Sequence, residues 1–248
     1  MNLHVIGTGS SGNAYLLDAG QSSILLDAGF PIKKIIRSVP DWQKLAGCLV
    51  THEHGDHAQS AEAIARLGVP TISSAGTWEA LNPGWRLTQL NAIQTLIPIR
   101  LGAFTVLAFD TQHDAAQPYG YVIRYEPTGE TVLYATDTYY LSRTFPGITY
   151  WIVECNYIDE LMDEQYDSGE LTEALRKRLK KSHMSLRRLV TALRANDLSR
   201  TRAIVLVHLS DERSNERIMV KAVKGVTGIE EVVAADAGMD ISLTLAPF

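Results

Sequence analysis

Thr51-His52-Glu53-His54-Gly55-Asp56-His57 gathers three of the chain's seven histidines and an aspartate into six consecutive positions, directly after the apolar run Leu45–Val50. A strand that ends this way presents its polar side chains from a tight turn, where neighbours can converge instead of alternating between two faces. Neutral imidazoles and carboxylates are the donors that borderline divalent cations take. Four such donors crowd a single ion. The spacing suits a pair of ions roughly 3.5–4 Å apart, His52 and His54 serving one and Asp56 and His57 the other. The plainer alternative is a polar surface loop, or a turn whose histidines merely cap a helix.

Working outward, other metal-type residues fall at the same kind of place. Asp27 closes Ser23–Leu26, His113 follows the strand-like run that ends at Phe109, Asp137 follows Thr131–Ala135, and His208 follows Arg202–Val207. Loops at the carboxyl ends of strands converge while the strands hold them rigidly, which is why ligands collect there in layered α/β proteins. Taken singly, each histidine could be a core or surface residue. Jointly they fit two divalent ions: His52, His54 and His113 for one, Asp56, His57 and His208 for the other, with Asp137 bridging. Asp27 could orient a ligand histidine by accepting its second N–H, or cap the helix that starts near Pro31. Two such ions would ready a water for attack, so metal-assisted hydrolysis is the reaction class. His4, inside the first strand, has no place in this scheme.

Composition bounds the rest. The chain has 248 residues and a net charge of −5, with 46% hydrophobic residues, which fits a globular fold with a full core. Met1–Ile6 reads as a first strand, and no apolar run approaches the roughly 20 residues that span a bilayer, so no membrane partner and a cytoplasmic location are expected. Cys48 and Cys155 sit in apolar runs and read as buried free thiols. The acidic balance is uneven. Arg176–Arg202 carries ten of the 23 Lys and Arg but only one of the 28 Asp and Glu, Asp197. Such a segment can make a local positive field for phosphate, or simply be the solvated face of amphipathic helices.

Along the chain, Leu3–Ile6, Ala14–Asp18 and Ser23–Asp27 read as strands, with Gly7-Thr8-Gly9-Ser10-Ser11-Gly12-Asn13 between the first two. Those glycines could let backbone approach another group or offer amides to an anion, although the spacing is not that of a Walker loop. Helices are predicted over Pro31–Val39, Ala58–Leu67 and Ala75–Leu81. Strands follow from Arg86 to Phe109, with Leu87, Leu96 and Ile97 among the apolar positions, and then over Tyr119–Tyr125, Thr131–Ala135 and Tyr150–Glu154. Asp159–Glu173, Leu171–Lys181, Ser185–Ala195 and Asp211–Val223 read as helices, with His183 between the two basic ones. No repeat or linker appears, so one domain over residues 1–248, built from two half-domains, is expected.

The ordered set Asp27, His52-x-His54-x-Asp56-His57, His113, Asp137, His208 resembles the motifs of the dinuclear metallo-β-lactamase superfamily. That resemblance implies an α/β fold, the four-layer αββα metallo-β-lactamase sandwich, in a single domain. Gly7–Asn13, His113-Asp114-Ala115, Pro118-Tyr119-Gly120-Tyr121, Glu154-Cys155-Asn156-Tyr157, His183-Met184-Ser185 and His208-Leu209-Ser210 with Asn215 are similar to the YycJ/WalJ-type exonuclease branch. It departs at His183-Met184-Ser185-Leu186, where His-Leu-Ser-Asn is the pattern. The chain also lacks the Cys ligand of true β-lactamases and the length for an inserted β-CASP domain.

The resemblance implies a metal-dependent phosphodiesterase acting on nucleic acid, a 5′-to-3′ DNA exonuclease with two divalent ions, and the His and carboxylate ligands suit zinc, manganese or iron. Asp56, Asp137 and His183 are the candidate catalytic residues, His183 as a hydrogen-bond or proton donor to a phosphoryl oxygen. Ser11, Asn13, Lys181 and Arg187 are candidate phosphate contacts. Hydrolysis of a small or cyclic phosphodiester needs the same metals without a basic track, and a non-catalytic metal-stabilised DNA-binding module needs the metals only for shape.

Overall fold

The computed structural model describes residues 1–84 and 89–243, so the expected strand positions Arg86 and Leu87 lie outside the described residues. In chain order the elements begin with β1 (Asn2–Gly7), β2 (Ala14–Asp18), β3 (Ser23–Leu26), α1 (Ile32–Ser38), β4 (Leu45–Leu49), α2 (Gly55–Ala58), α3 (Ala61–Arg66), β5 (Thr71–Ser73) and α4 (Ala75–Leu81). They continue with β6 (Leu90–Ala92), β7 (Ile99–Leu101), β8 (Phe104–Asp110), β9 (Tyr119–Tyr125), β10 (Thr131–Ala135), β11 (Tyr150–Glu154), α5 (Asp159–Asp167), α6 (Glu173–Ser182) and α7 (Leu186–Arg194). The last are β12 (Ala203–Val207), α8 (Glu216–Thr227), β13 (Glu231–Ala234) and β14 (Asp240–Ser242). Contacts divide the chain into two compact units: Met1–Asp110 with Ala115–Glu130 and Asp236–Phe248, and Thr111–Asp114 with Thr131–Ala235.

In the first unit a seven-stranded sheet runs β14-β1-β2-β3-β4-β5-β6. The β1–β2 and β2–β3 pairs are antiparallel, whereas β3–β4, β4–β5 and β5–β6 are parallel and are joined through α1, through α2 and α3, and through α4. Leu16, Leu25, Cys48 and Val50 share a core with Ile35 of α1, Ile64 of α3 and Trp78 of α4. The same unit contains the antiparallel strands β7-β8-β9. Tyr121 of β9 donates its hydroxyl to Val50 O at 2.6 Å, which satisfies a carbonyl at the end of β4 just before the histidine-rich turn.

In the second unit β10, β11, β12 and β13 are parallel neighbours. Tyr150-Trp151-Ile152-Val153-Glu154 and Ala203-Ile204-Val205-Leu206-Val207 are buried at every position, as strands covered on both faces must be. Ser185 caps α7, and Asn215 caps α8 by accepting from Ile218 N at 3.1 Å.

Several sequence expectations shift. The helix expected over Ala58–Leu67 breaks at Gln59–Ser60 and begins earlier, so Asp56 and His57 ride on the one-turn helix α2. Leu96 and Ile97, counted as strand positions, lie between β6 and β7 and are half exposed, Leu96 with a left-handed φ of 62°. The acidic helix ends at Asp167 instead of reaching Glu173, and the last helix starts at Glu216, because Asn215 supplies its cap and residues 211–213 form a turn.

Candidate metal-ligand clusters

In the first unit the ligand turn is bolted to the loops around it. Asn13 N donates to Asp56 O at 2.7 Å and Ala28 N to His57 O at 2.7 Å, so two backbone carbonyls of α2 are held by neighbouring chain. Close approach makes this possible: a Cβ at Gly29 would lie 1.7 Å from Asp56 O. Asp27, fully buried with a left-handed φ of 58°, accepts from Thr51 N at 2.7 Å through Oδ1 and from His57 Nδ1 at 2.8 Å through Oδ2. Its carboxylate thus sets the His57 tautomer and leaves Nε2 as the lone-pair nitrogen. His52 packs against both His54 and His57, with ring centroids 4.6 and 4.3 Å away, and Asp56 Oδ2 lies 3.5 Å from His57 Nε2. Three imidazoles and a carboxylate therefore crowd one corner, His52 and His57 buried and His54 and Asp56 partly open.

Asn13 is fully buried. Its side chain exchanges hydrogen bonds with the backbone of Gly9, accepts from the Tyr15 hydroxyl, and brings its amide nitrogen within 3.0 Å of His57 Nε2. These bonds make Asn13 a brace for the glycine loop and for His57. The glycines themselves make room: a Cβ at Gly7 or Gly12 would meet the Phe30 ring at 2.2 and 2.9 Å. Ser11 is exposed on that loop.

The second unit holds the other set. His113 Nδ1 donates to Ser182 O at 2.9 Å, and its Nε2 lies 3.4 Å from Asp137 Oδ2. Burial holds the His113 imidazole below its ordinary pKa, against the pull of Asp137, and so favours the neutral form that binds metal. His208 Nδ1 contacts Asp137 Oδ1 and lies 3.7 Å from Glu154 Oε1. Asn156 fixes this histidine's backbone by donating to His208 O at 2.8 Å. Asp137, Glu154, His183 and His208 each bring one donor atom within 4.8 Å of all the others, three of the four residues buried. Carboxylates and imidazoles are the donors a divalent cation takes, and of these four Glu154 and His183 already hold each other.

Glu154 is the residue sequence reasoning left without a role. It closes β11 with no solvent exposure, accepts from His183 Nδ1 at 2.7 Å, and takes Thr138 N at 3.0 Å and Met184 N at 3.1 Å on its other oxygen. The signal was present: an acid ending a wholly apolar strand stands where Asp27, Asp137 and His208 stand. Asn156 N and O bind Met184 O and Ser210 N, and Leu186 N binds Tyr157 O. The segments around Glu154, His183 and His208 are thereby stitched into one support, which explains why those short motifs occur together. Met184 is fully buried, and Ser185 keeps its capping role despite the Leu186 departure.

The basic segment is less free than its composition suggests. Arg176 and Lys180 pair with Asp163 at 2.6 and 3.7 Å, Lys177 with Glu173 at 3.1 Å, Arg178 with Asp114 at 3.5 Å, and Arg187 with Glu160 at 3.1 Å. The Arg176 guanidinium holds the Asp163 carboxyl below the usual carboxylate range. Lys181 is exposed, with no carboxylate beside it among the described residues. His4 bridges strands, contacting Asp240 and lying 3.8 Å from Asp18. Among the described residues no helix is long and apolar enough to cross a membrane.

Residues 14–209 match the Beta-lactamase superfamily domain, and the chain belongs to that family. It is a metal-dependent hydrolase with the family's α/β sandwich fold. Within the family it resembles the exodeoxyribonuclease WalJ of Streptococcus pneumoniae, 27% identical over 96% of this chain and 90% of the relative. The exodeoxyribonuclease YycJ of Bacillus anthracis is 29% identical over 60% of this chain and 59% of its own. Among solved structures, the metallo-β-lactamase fold protein YhfI of Bacillus subtilis superposes with a TM-score of 0.73 at 21% identity, covering 96% of this chain and 98% of that one.

Proposed function

We propose that the protein is a phosphodiesterase that trims DNA from a 5′ end in the cytoplasm, using two divalent ions of zinc, manganese or iron. His52, His54 and His113 would hold one ion and Asp56, His57 and His208 the other, with Asp137 shared. Such a pair polarises a phosphoryl oxygen and makes a strong nucleophile from water at neutral pH. The observation that carries the reading is the Glu154–His183 pair, a buried carboxylate gripping one nitrogen of a histidine that is itself partly exposed. With its Nδ1–H given to the carboxylate, the ring can take a second proton on the far nitrogen, whose positive charge Glu154 offsets, and pass that proton to the oxygen that leaves phosphorus. His113 and His57 are held ready by Ser182 O and Asp27, so neither must reorient when a ligand arrives. Asp56 joins His57 on α2, and Asp137 contacts His113 and His208 at once.

The test offers 5′-phosphorylated single-stranded DNA, the matching RNA and bis(p-nitrophenyl) phosphate to the protein with manganese or zinc. Release of mononucleotides from one end of the DNA supports the reading, and turnover of the small diester alone rejects it. Asp137→Ala or His54→Ala abolishes turnover of any substrate. A small or cyclic phosphodiester is the second reading, favoured by the carboxylates that occupy Arg176, Lys177, Arg178, Lys180 and Arg187.

A further inference from the structure

Five of the ten cations of residues 176–202 are paired with carboxylates, and further open cations lie outside that segment. Helix α1 carries Lys33, Lys34 and Arg37 and no acid, and none of the three has a carboxylate partner among the described residues. Lys34 and Arg37 stand one turn apart, hence on one face. They line a groove of about 630 Å³ that is also walled by His4 of β1 and the turn from Ala237 to Asp240. The only carboxylate on that wall, Asp240, is engaged by His4. The Lys34 ammonium rests 3.3 Å above the centre of the Phe30 ring, a contact that fixes the long side chain at the groove's edge. Phe30 in turn fills the space left by Gly7 and Gly12, and Gly12 packs on Gly29, which abuts Asp56. A continuous run of close contacts thus leads from the groove to the ligand turn within the same unit.

We propose that this groove is a phosphate-binding track for the nucleic-acid strand, with Lys34 and Arg37 each meeting one backbone phosphate away from the bond being cut. The inference rests on the reading of the substrate as nucleic acid. Charge complementarity selects the occupant: two unpaired cations in an open cleft suit a polyanion, and a flexible strand can follow the groove without sequence preference.

The metal-loaded protein is titrated, by fluorescence anisotropy at several salt concentrations, into a labelled 12-residue thymidine strand with a phosphorothioate backbone. Replacing both Lys34→Ala and Arg37→Ala is expected to weaken binding roughly tenfold and to flatten the salt slope by about 1.4, since each phosphate contact on a single strand contributes about 0.7. The charge-keeping change Lys34→Arg retains most of the affinity. Catalytic efficiency on the natural 12-mer should fall at least ten times further than that on bis(p-nitrophenyl) phosphate. Wild-type affinity and salt slope in the double variant overturn the track, as does equal competition by thymidine 5′-monophosphate at matched phosphate concentration. Failure of the wild-type protein to cut any nucleic acid is seen before a variant is made and condemns the substrate reading instead.

Discussion

Glu154 and His183 are joined at 2.7 Å through Oε1 and Nδ1, while the second oxygen of the same carboxylate is fastened to two backbone amides. The glutamate cannot turn away without abandoning Thr138 N and Met184 N, so the histidine inherits its rigidity. Glu154→Gln keeps the shape but loses the negative charge that stabilises a protonated imidazole. We expect it to lower kcat about 10²–10⁴-fold, the usual span for a general acid. His183→Ala should cost a similar factor and the double change little more, because the two act as one unit. Rapid-quench rates on a labelled 5′-phosphorylated strand measure all three.

Asp27 makes a separable prediction. Asp27→Ala strands the buried Thr51 amide and frees His57 to rotate, so it should cost about 1–3 kcal/mol in urea denaturation and about 10–100-fold in metal affinity. Asp27→Asn can still accept from Thr51 N but offers an N–H toward His57 Nδ1. Stability should therefore largely survive while metal affinity drops as far as in the alanine variant. Equal stability losses in the two would count against this division of labour.

The contact between Gly29 and Asp56 O leaves no room for a methyl group. Gly29→Ala must push the backbone of the ligand turn, with an expected cost of about 1–3 kcal/mol and less than full metal content by elemental analysis. Gly55, one residue before Asp56, has open space around it, and Gly55→Ala at the start of α2 should be neutral or slightly stabilising.

Burial pushes the thiols of Cys48 and Cys155 up, and both are fully buried. A raised thiol pKa keeps the unreactive protonated form throughout the neutral and mildly alkaline range. A disulfide reagent at pH 8 should label neither cysteine in the folded protein and both in denaturant. Rapid labelling of the native form would contradict their burial.

Much of the fold could be read beforehand because its strands end where chemistry begins. Leu45–Val50, Thr131–Ala135 and Arg202–Val207 announced themselves by their mostly apolar character and by the His or Asp that followed. β13 and β14 carried no such marker, being short and half exposed, and went unread. The ligands were legible as types and positions, but their supports were not. Asn13 looked like a loop residue open to phosphate, because nothing local reveals that Gly9, Tyr15 and His57 close around it. Glu154 was quoted within a motif and given no task, since its partner His183 lies 29 positions away. The choice between a positive field and a solvated helix face over residues 176–202 could not be made from that stretch for the same reason: Asp114, Glu160 and Asp163, which pair with it, lie outside it.

Asp27, Asp137 and His208 share a backbone oddity, each holding a left-handed φ, of 58°, 47° and 54°. A side chain in that region carries strain that glycine escapes, although Asp and His tolerate it better than most residues. Random mutagenesis screened only for survival on heating should therefore enrich glycine at Asp137 and His208, though not at Asp27, whose carboxylate satisfies the buried Thr51 amide, yielding sturdier proteins that no longer turn over. Durability and chemistry pull against each other here at the level of single torsion angles, and the strand termini record which of them prevailed.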